Sequence, residues 1–154
     1  MKELLERTRE VLIEAVLLDA DTVDDIIKVY RERLGDDSSY FVSGGCNEFV
    51  LELGTFLEKY GPVTYWSYGS DKEPDVHMAL EYQGSVFDIG GASTLDTISS
   101  RGDFYFDTQD DARWVRVKKE DVPTYRLGRY ENSNKFESIY LAGVKWNYIV
   151  PGQN

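Results

Sequence analysis

The chain of 154 residues is 42% hydrophobic and 14% aromatic, which excludes a disordered protein and predicts a single folded domain. Its 28 acidic residues outnumber its 17 Lys and Arg residues, and the net charge of −11 disfavours nucleic-acid binding, which needs basic side chains. One Cys and one His exclude an intramolecular disulfide, a Cys-rich zinc site and a His-His metal motif, so we expect no metal and no cofactor.

Residues 1–35 are predicted to form a helical hairpin, because their apolar side chains recur at helical spacing. Charges are scattered through the first helix, which makes it amphipathic and unlike a signal peptide. The second helix is predicted to begin at a capping box opened by Thr22 and to end at Gly35. No run approaches the roughly 20 apolar residues that span a bilayer. We therefore expect a cytoplasmic protein that has no membrane partner.

Residues 36–62 are predicted to form a loop followed by a third helix. The loop, residues 36–45, is rich in Asp, Ser and Gly. Apolar side chains then recur at helical spacing from Cys46 to Tyr60, and Gly61 and Pro62 end the helix.

The pattern changes after Pro62 to short aromatic and β-branched runs, which predict an antiparallel sheet over residues 63–150. A tight hairpin turn is predicted at Gln83 and Gly84, and residues 96–109 are predicted to be irregular or weakly helical. The predicted strands cover residues 63–68, 75–82, 85–89, 113–118, 138–142 and 144–150. Helices precede strands, an order that is typical of an α+β fold.

The single Cys lies at the start of the third helix, directly after two glycines. Gly44 and Gly45 would let a substrate approach the backbone closely. The unpaired N–H groups and the dipole of a helix N-terminus favour a thiolate, and the N–H of Cys46 is a candidate oxyanion donor. Cys46 also begins the apolar stripe of its helix, so a buried structural cysteine is the alternative.

The single His lies on a predicted strand, and an Asp lies on the next one. If the hairpin turns at Gln83 and Gly84, His77 and Asp88 share a face of the sheet as diagonal neighbours about 7–8 Å apart. A change of register by one residue would separate them. With the turn at Gln83 and Gly84, Asp88 would orient the imidazole and His77 would take the proton of the Cys46 thiol. The alternatives are a structural histidine and a solvent-facing strand residue.

The order of these residues resembles that of a known superfamily. The order resembles that of papain-like cysteine hydrolases, which include NlpC/P60 peptidases and transglutaminase-like proteins. In this order a Gly-Gly-Cys sequence opens a helix, a His follows on a strand and an Asp lies on the next strand. The chain looks closest to small bacterial and phage members. In those, as at Trp114 here, a Trp-containing strand often follows. The resemblance covers roughly residues 43–122.

This resemblance implies an α+β papain-like domain with Cys46 as the nucleophile, His77 as the base and Asp88 as the orienting group. It implies a thiol hydrolase or acyl transferase acting on an amide bond of a peptide, an isopeptide or a glutamine side chain. No Gln upstream of the Cys supplies the papain-type oxyanion donor, and Tyr40 and Ser43 are the nearby candidates.

Gly44 and Gly45, together with Tyr65 and Trp66 on the first predicted strand, are the candidate substrate-binding residues. Residues 36–111 hold 3 basic and 15 acidic side chains, a net charge of −12, so we expect a protein or peptide substrate that is cationic. The alternative is a non-catalytic acidic protein that binds or inhibits a basic or nucleic-acid-binding protein through this acidic surface.

Overall fold

The computed structural model describes residues 18–35, 45–101, 111–123 and 134–144, and these form a mixed α+β architecture, as the sequence predicts. The described helices are α1 Ala20–Leu34, α2 Cys46–Leu57, α3 Leu95–Ser100 and α4 Asn134–Ile139. A 3-10 turn, Lys119–Asp121, follows the last strand, and α4 continues as a π-helical turn, Tyr140–Val144. The strands are β1 Val63–Gly69, β2 His77–Tyr82, β3 Ser85–Asp88, β4 Gly91–Ser93 and β5 Arg113–Val117.

The five strands form one open antiparallel sheet in the order β4-β3-β2-β1-β5. A two-residue turn joins β2 to β3, and its residues Gln83 and Gly84 have φ values of 49° and 79°. This is the left-handed conformation that a type I′ hairpin turn requires. Leu80 pairs with Phe87 across the hairpin, so the predicted turn and register are confirmed.

The two faces of the sheet bury different sets of side chains. The larger core lies between the sheet and helices α1, α2 and α4, and the hairpin strands contribute Met78, Leu80, Tyr82 and Phe87 to it. A smaller cluster on the opposite face joins Ala79 and Val86 to Ile98 of α3. Because successive strand residues point to opposite faces, neighbouring residues of β2 and β3 divide between the two clusters.

Helix α2 is the central helix of the larger core, and each of its residues except Thr55 is buried. Tyr65 of β1 packs directly on its backbone at Gly54, where a Cβ would collide with the phenol ring. On another side, Phe136 of α4 contacts Phe49 with 5.8 Å between ring centroids. Contact on all sides holds the helix, and therefore its first residue Cys46, in place against the sheet.

The predicted start of the helix after Thr22 is wrong by a few residues. Helix α1 begins at Ala20, and Asp19 is its N-cap. The Asp19 carboxylate accepts hydrogen bonds from the backbone N–H and the hydroxyl of Thr22, both at 2.8 Å. Asp is one of the strongest N-cap residues, so it outcompetes the Thr three positions later.

The predicted strand over residues 138–142 is also wrong, because residues 134–144 are helical. Phe136, Ile139 and Tyr140 are buried in the larger core at the spacing of one helix face. A short apolar run has no decisive period, and here packing against α1 and α2 selected the helix. Of the last predicted strand, Val144 ends the π-helical turn, and residues 145–150 lie outside the described ranges.

Several predicted segments lie wholly or partly outside the described residues. These are the first helix up to residue 17, the loop at 36–44 and residues 102–109. Strand β4 was not predicted, and it extends the sheet after a turn at Ile89 and Gly90. Among the described residues, no helix combines the length and the apolar character needed to cross a bilayer.

One carboxyl group in the core has an unusual environment. Glu52 of α2 is 4% exposed, and its Oε2 has no hydrogen-bond partner among the described residues. Burial raises the pKa of Glu52 to about 7, although nearby Lys135 opposes the rise; the neighbouring Glu48 adds to it. The fold therefore binds a proton at Glu52 more tightly than the unfolded chain does.

We predict that Glu52→Gln stabilises the protein at pH 8 but not at pH 4. The contribution of the protonated Glu52 is fully present below pH 4.5 and is lost as the pH rises through about 7. The gain at pH 8 should be roughly 1–3 kcal/mol in the free energy of unfolding, measured by urea titration. Glu32→Gln on the exposed face of α1 is the control. An equal gain at both pH values would contradict this account.

Candidate active site

Three predicted site residues meet at one end of the sheet. His77 is the first residue of β2 and Asp88 is the last residue of β3, positions that lie at the same end of an antiparallel hairpin. Cys46, the first residue of α2, interacts with His77 and therefore lies at this end as well. The exposed fractions are 5% for Cys46, 0% for His77 and 1% for Asp88.

The imidazole and the carboxylate form a direct hydrogen bond. The Nε2 atom of His77 lies 3.0 Å from Oδ2 of Asp88. The contact follows from the hairpin register, since Leu80 opposite Phe87 makes these two residues diagonal neighbours on one face. Asp88 therefore orients the ring through Nε2.

The charged form of His77 is stabilised although the residue is buried. Burial by itself would lower the pKa of His77. Hydrogen bonding to Asp88 and to Cys46, together with the electrostatic attraction of both groups, outweighs burial and raises that pKa to about 9. The ring therefore interacts with both the Asp88 carboxylate and the Cys46 side chain.

The Asp88 carboxylate receives hydrogen bonds at both oxygens. The backbone N–H of Gly90 donates to Oδ1 at 2.9 Å, and Nη2 of Arg101 donates to Oδ2, the oxygen that also contacts His77. Burial would raise the pKa of Asp88, but the hydrogen bonds from His77 and Arg101 and their positive charges hold it below its usual value. Asp88 is therefore an ionised carboxylate inside the protein.

Arg101 was not among the predicted site residues. Its guanidinium reaches Asp88 past Gly90, where a Cβ would stand 2.5 Å from Nη1 of Arg101 and 3.0 Å from Oδ1 of Asp88. One signal was present in the sequence, because Arg101 is one of only 3 basic residues in the acidic segment 36–111. A buried carboxylate in that segment needs a cationic partner, but the sequence does not show which basic side chain pairs with it.

One aromatic ring packs against the imidazole, and a second ring packs against the first. Trp114 of β5 contacts His77 edge-on with 6.5 Å between ring centroids, and Tyr68 of β1 packs on Trp114 at 5.0 Å. The indole is held in turn, because its Nε1 donates to the carbonyl of Leu95 at 3.0 Å. These rings keep His77 out of water and limit the orientations of its ring.

The nucleophile candidate has a polar neighbour of its own. The Cys46 thiol donates to Oδ1 of Asn47 at 3.5 Å, and Asn47 is 3% exposed. Gly45 is the N-cap of α2 and provides no side-chain cap. The N–H groups of the first turn therefore point towards the thiol end of the helix without intrahelical partners.

The predicted aromatic substrate-binding residues have partners elsewhere. The Tyr65 hydroxyl donates to Glu58 at 3.1 Å, and its ring meets α2 at Gly54, eight residues or about 12 Å along the helix from Cys46. Trp66 donates to Glu81 at 2.8 Å. These contacts do not bring either side chain to the thiol.

The two predicted glycines divide between described and undescribed residues. Gly45 directly precedes Cys46 and accepts the first hydrogen bond of α2 from Phe49 at 3.1 Å. Gly44, like Tyr40 and Ser43, lies outside the described ranges.

Comparisons with models of known families, with curated proteins and with solved structures found no match for this chain. The site residues themselves therefore carry the functional argument. Within the described ranges, no three or more His, Cys, Asp and Glu side chains are grouped so as to hold a metal ion.

We predict that Asp88→Asn lowers the pKa of the only histidine. Losing the carboxylate removes the hydrogen bond and the negative charge that hold the pKa of His77 at about 9. Because the chain has one His, its imidazole C–H resonances in an NMR pH titration report His77 alone. The midpoint should fall by at least about one pH unit. As a control, Asp96→Asn on the exposed face of α3 should leave the midpoint of His77 unchanged. The same midpoint in both variants would refute the role given to Asp88.

Proposed function

We propose that the protein is a thiol-dependent hydrolase or acyl transferase with a papain-like fold, acting on an amide bond. Cys46 is the nucleophile, His77 the base and Asp88 the group that orients the base. One observation carries the proposal: His77 is buried between a thiol and a carboxylate, and both interact with its ring.

The first half of the reaction forms a thioester. The Asp88 hydrogen bond occupies Nε2 of His77, so the other ring nitrogen, Nδ1, takes the Cys46 proton. The thiolate attacks the carbonyl carbon and forms a C–S bond and an oxyanion. Collapse of this intermediate breaks the C–N bond, and the imidazolium returns its proton to the leaving amine.

The second half releases the acyl group. Water or an acceptor amine gives a proton to His77 and attacks the thioester carbonyl. The C–S bond breaks, Cys46 leaves as the thiolate and takes back the proton from His77, and the product is an acid or a new amide. The N–H of Cys46, at the start of α2, is the proposed oxyanion donor, because first-turn N–H groups lack intrahelical partners.

A cationic substrate fits the charges beside the site. The loop between β1 and β2 carries Asp71 and Asp75 and leads directly to His77. Both carboxylates line a cavity of about 240 Å³ that also includes Ser67 and Arg113. Arg113 forms an ion pair with Asp71 at 3.1 Å, which leaves the negative charges in excess. A Lys- or Arg-bearing peptide or an amine acceptor therefore suits this surface better than an anion.

The second candidate function is a non-catalytic acidic protein that binds or inhibits a basic partner. The observation that favours it is the low exposure of Cys46, 5%, since a free buried cysteine is commonly a small hydrophobe. In that case His77 and Asp88 are a buried structural pair. The reactivity of the thiol separates the two candidates.

We predict that the Cys46 thiol reacts with iodoacetamide far below the pH at which an ordinary thiol does. An ordinary thiol, with a pKa of about 8.5, reacts roughly 300-fold more slowly at pH 6 than at pH 9.5. If His77 accepts the proton, the decrease should be less than roughly 30-fold. Comparing two rates of one protein cancels the effect of limited access to the sulfur.

His77→Gln should restore the steep decrease, and Asp96→Asn should not. A decrease of roughly 300-fold in both the unmodified protein and His77→Gln would refute the catalytic proposal and favour the binding protein.

An activated ester tests covalent catalysis directly. We expect p-nitrophenyl acetate to release p-nitrophenolate and leave one acetyl group on Cys46, detected by intact-protein mass spectrometry. Cys46→Ala should remain unacetylated. Loss of the acetyl group to water identifies a hydrolase, whereas capture by added cadaverine identifies an acyl transferase. If the protein is not acetylated and its release of p-nitrophenolate is the same as that of Cys46→Ala, the nucleophile assignment is contradicted.

A further inference from the structure

We propose that Arg101 is a positioning residue that balances the charge of this site and so favours the reactive form, in which the proton of Cys46 has moved to His77. It acts through Asp88 and not on the substrate. The inference rests on the proposed function, since it explains how the thiol–imidazole pair is activated.

The geometry makes Arg101 part of the same buried network. Its guanidinium donates to Oδ2 of Asp88, the oxygen that also contacts His77. The side chain of Asp88 is 1% exposed and that of Arg101 is 27% exposed, so Arg101 is the member of this contact that reaches towards solvent. Gly90 provides the room for the approach, because a Cβ there would press on Nη1 of Arg101.

The fold holds Arg101 at this position through a short helix. Thr94 caps α3 by accepting the N–H of Thr97 at 3.1 Å, and Ile98 anchors the helix in the smaller cluster. Arg101 follows the last residue of α3, and its N–H donates to the carbonyl of Ile98 at 3.3 Å. Strand β4 and α3 therefore lead the chain from Asp88 out and back to the same carboxylate.

A count of charges shows what the guanidinium does. In the reactive form, Asp88 and the Cys46 thiolate are negative and the His77 imidazolium is positive, which leaves one unbalanced negative charge. An unbalanced charge is unfavourable in a buried site, and binding a proton at the thiolate would remove it. That proton inactivates the nucleophile. With Arg101 present, the reactive form is neutral and the protonated form carries the unbalanced charge.

A purely structural role makes the opposite prediction for His77. If Arg101 only held Asp88 in place, its loss would free the carboxylate and the pKa of His77 would fall, as in Asp88→Asn. If Arg101 balances charge, its loss removes a positive charge beside the imidazolium, and the pKa of His77 rises. The direction of the change therefore separates the two roles.

The experiment measures Arg101→Gln by the NMR titration of His77 and by the iodoacetamide rates at pH 6 and pH 9.5. We expect the titration midpoint to rise by about one pH unit and the rate at pH 6, relative to that at pH 9.5, to fall about tenfold. Arg101→Lys keeps the charge and should stay close to the unmodified protein. Arg33→Gln on the exposed face of α1 is the control for losing an arginine elsewhere.

Gly90→Ala provides a second perturbation that deletes no side chain. The new methyl group would lie 2.5 Å from Nη1 of Arg101 and 3.0 Å from Oδ1 of Asp88, so the flexible guanidinium moves away first, and Gly90 has no positive φ that would add backbone strain. We expect both measurements to shift in the same direction as in Arg101→Gln.

The outcomes distinguish this inference from the proposed function. If the unmodified protein already reacts like an ordinary thiol, the proposed function fails, and this inference fails with it. If the unmodified protein is reactive at pH 6 but Arg101→Gln matches it, or lowers the midpoint of His77, only the role of Arg101 is overturned. If Arg101→Lys and Arg101→Gln lower the rate at pH 6, relative to that at pH 9.5, by the same factor, the charge of Arg101 is not what matters. That result would favour a role for its hydrogen-bond geometry instead.

Discussion

The buried carboxylate of Asp88 is the group on which the arrangement at this end of the sheet depends. It receives donors from three separate elements: His77 at the start of β2, Gly90 in the turn before β4, and Arg101 after α3. A carboxylate that is 1% exposed is stable only when such donors surround it. Satisfying Asp88 therefore aligns the imidazole and fixes the path of the chain beyond β3.

The second constraint is the burial of α2 on nearly all sides. Its middle residues contact the aromatic core on one side, while Gly54 allows Tyr65 of the sheet to approach on another. The helix cannot slide or turn without disrupting these contacts. Its first residue, Cys46, is consequently held against the imidazole by packing far from the thiol itself. The packing of the core therefore determines where the site residue Cys46 lies.

Local signals predicted the elements that bear the site. Gln83 and Gly84 carry the chemistry of a tight turn, and this turn defines the register that makes His77 and Asp88 neighbours. The start of α2 at Cys46 was predicted as well, from apolar spacing after two glycines. The start of α1 was predicted less accurately, because two residues there are both good N-caps. Only the hydrogen bond from the N–H of Thr22 to the Asp19 carboxylate shows that Asp19 caps the helix.

The sequence by itself determined the α+β class, the hairpin and the placement of the only Cys and the only His on elements able to carry chemistry, because these follow from spacing and turn residues. Tertiary structure decided the rest. It made residues 134–144 helical, since a short apolar run takes its form from what it packs on. It also chose Arg101 as the cation for Asp88, because the chain must fold back through β4 and α3 before those two side chains can meet.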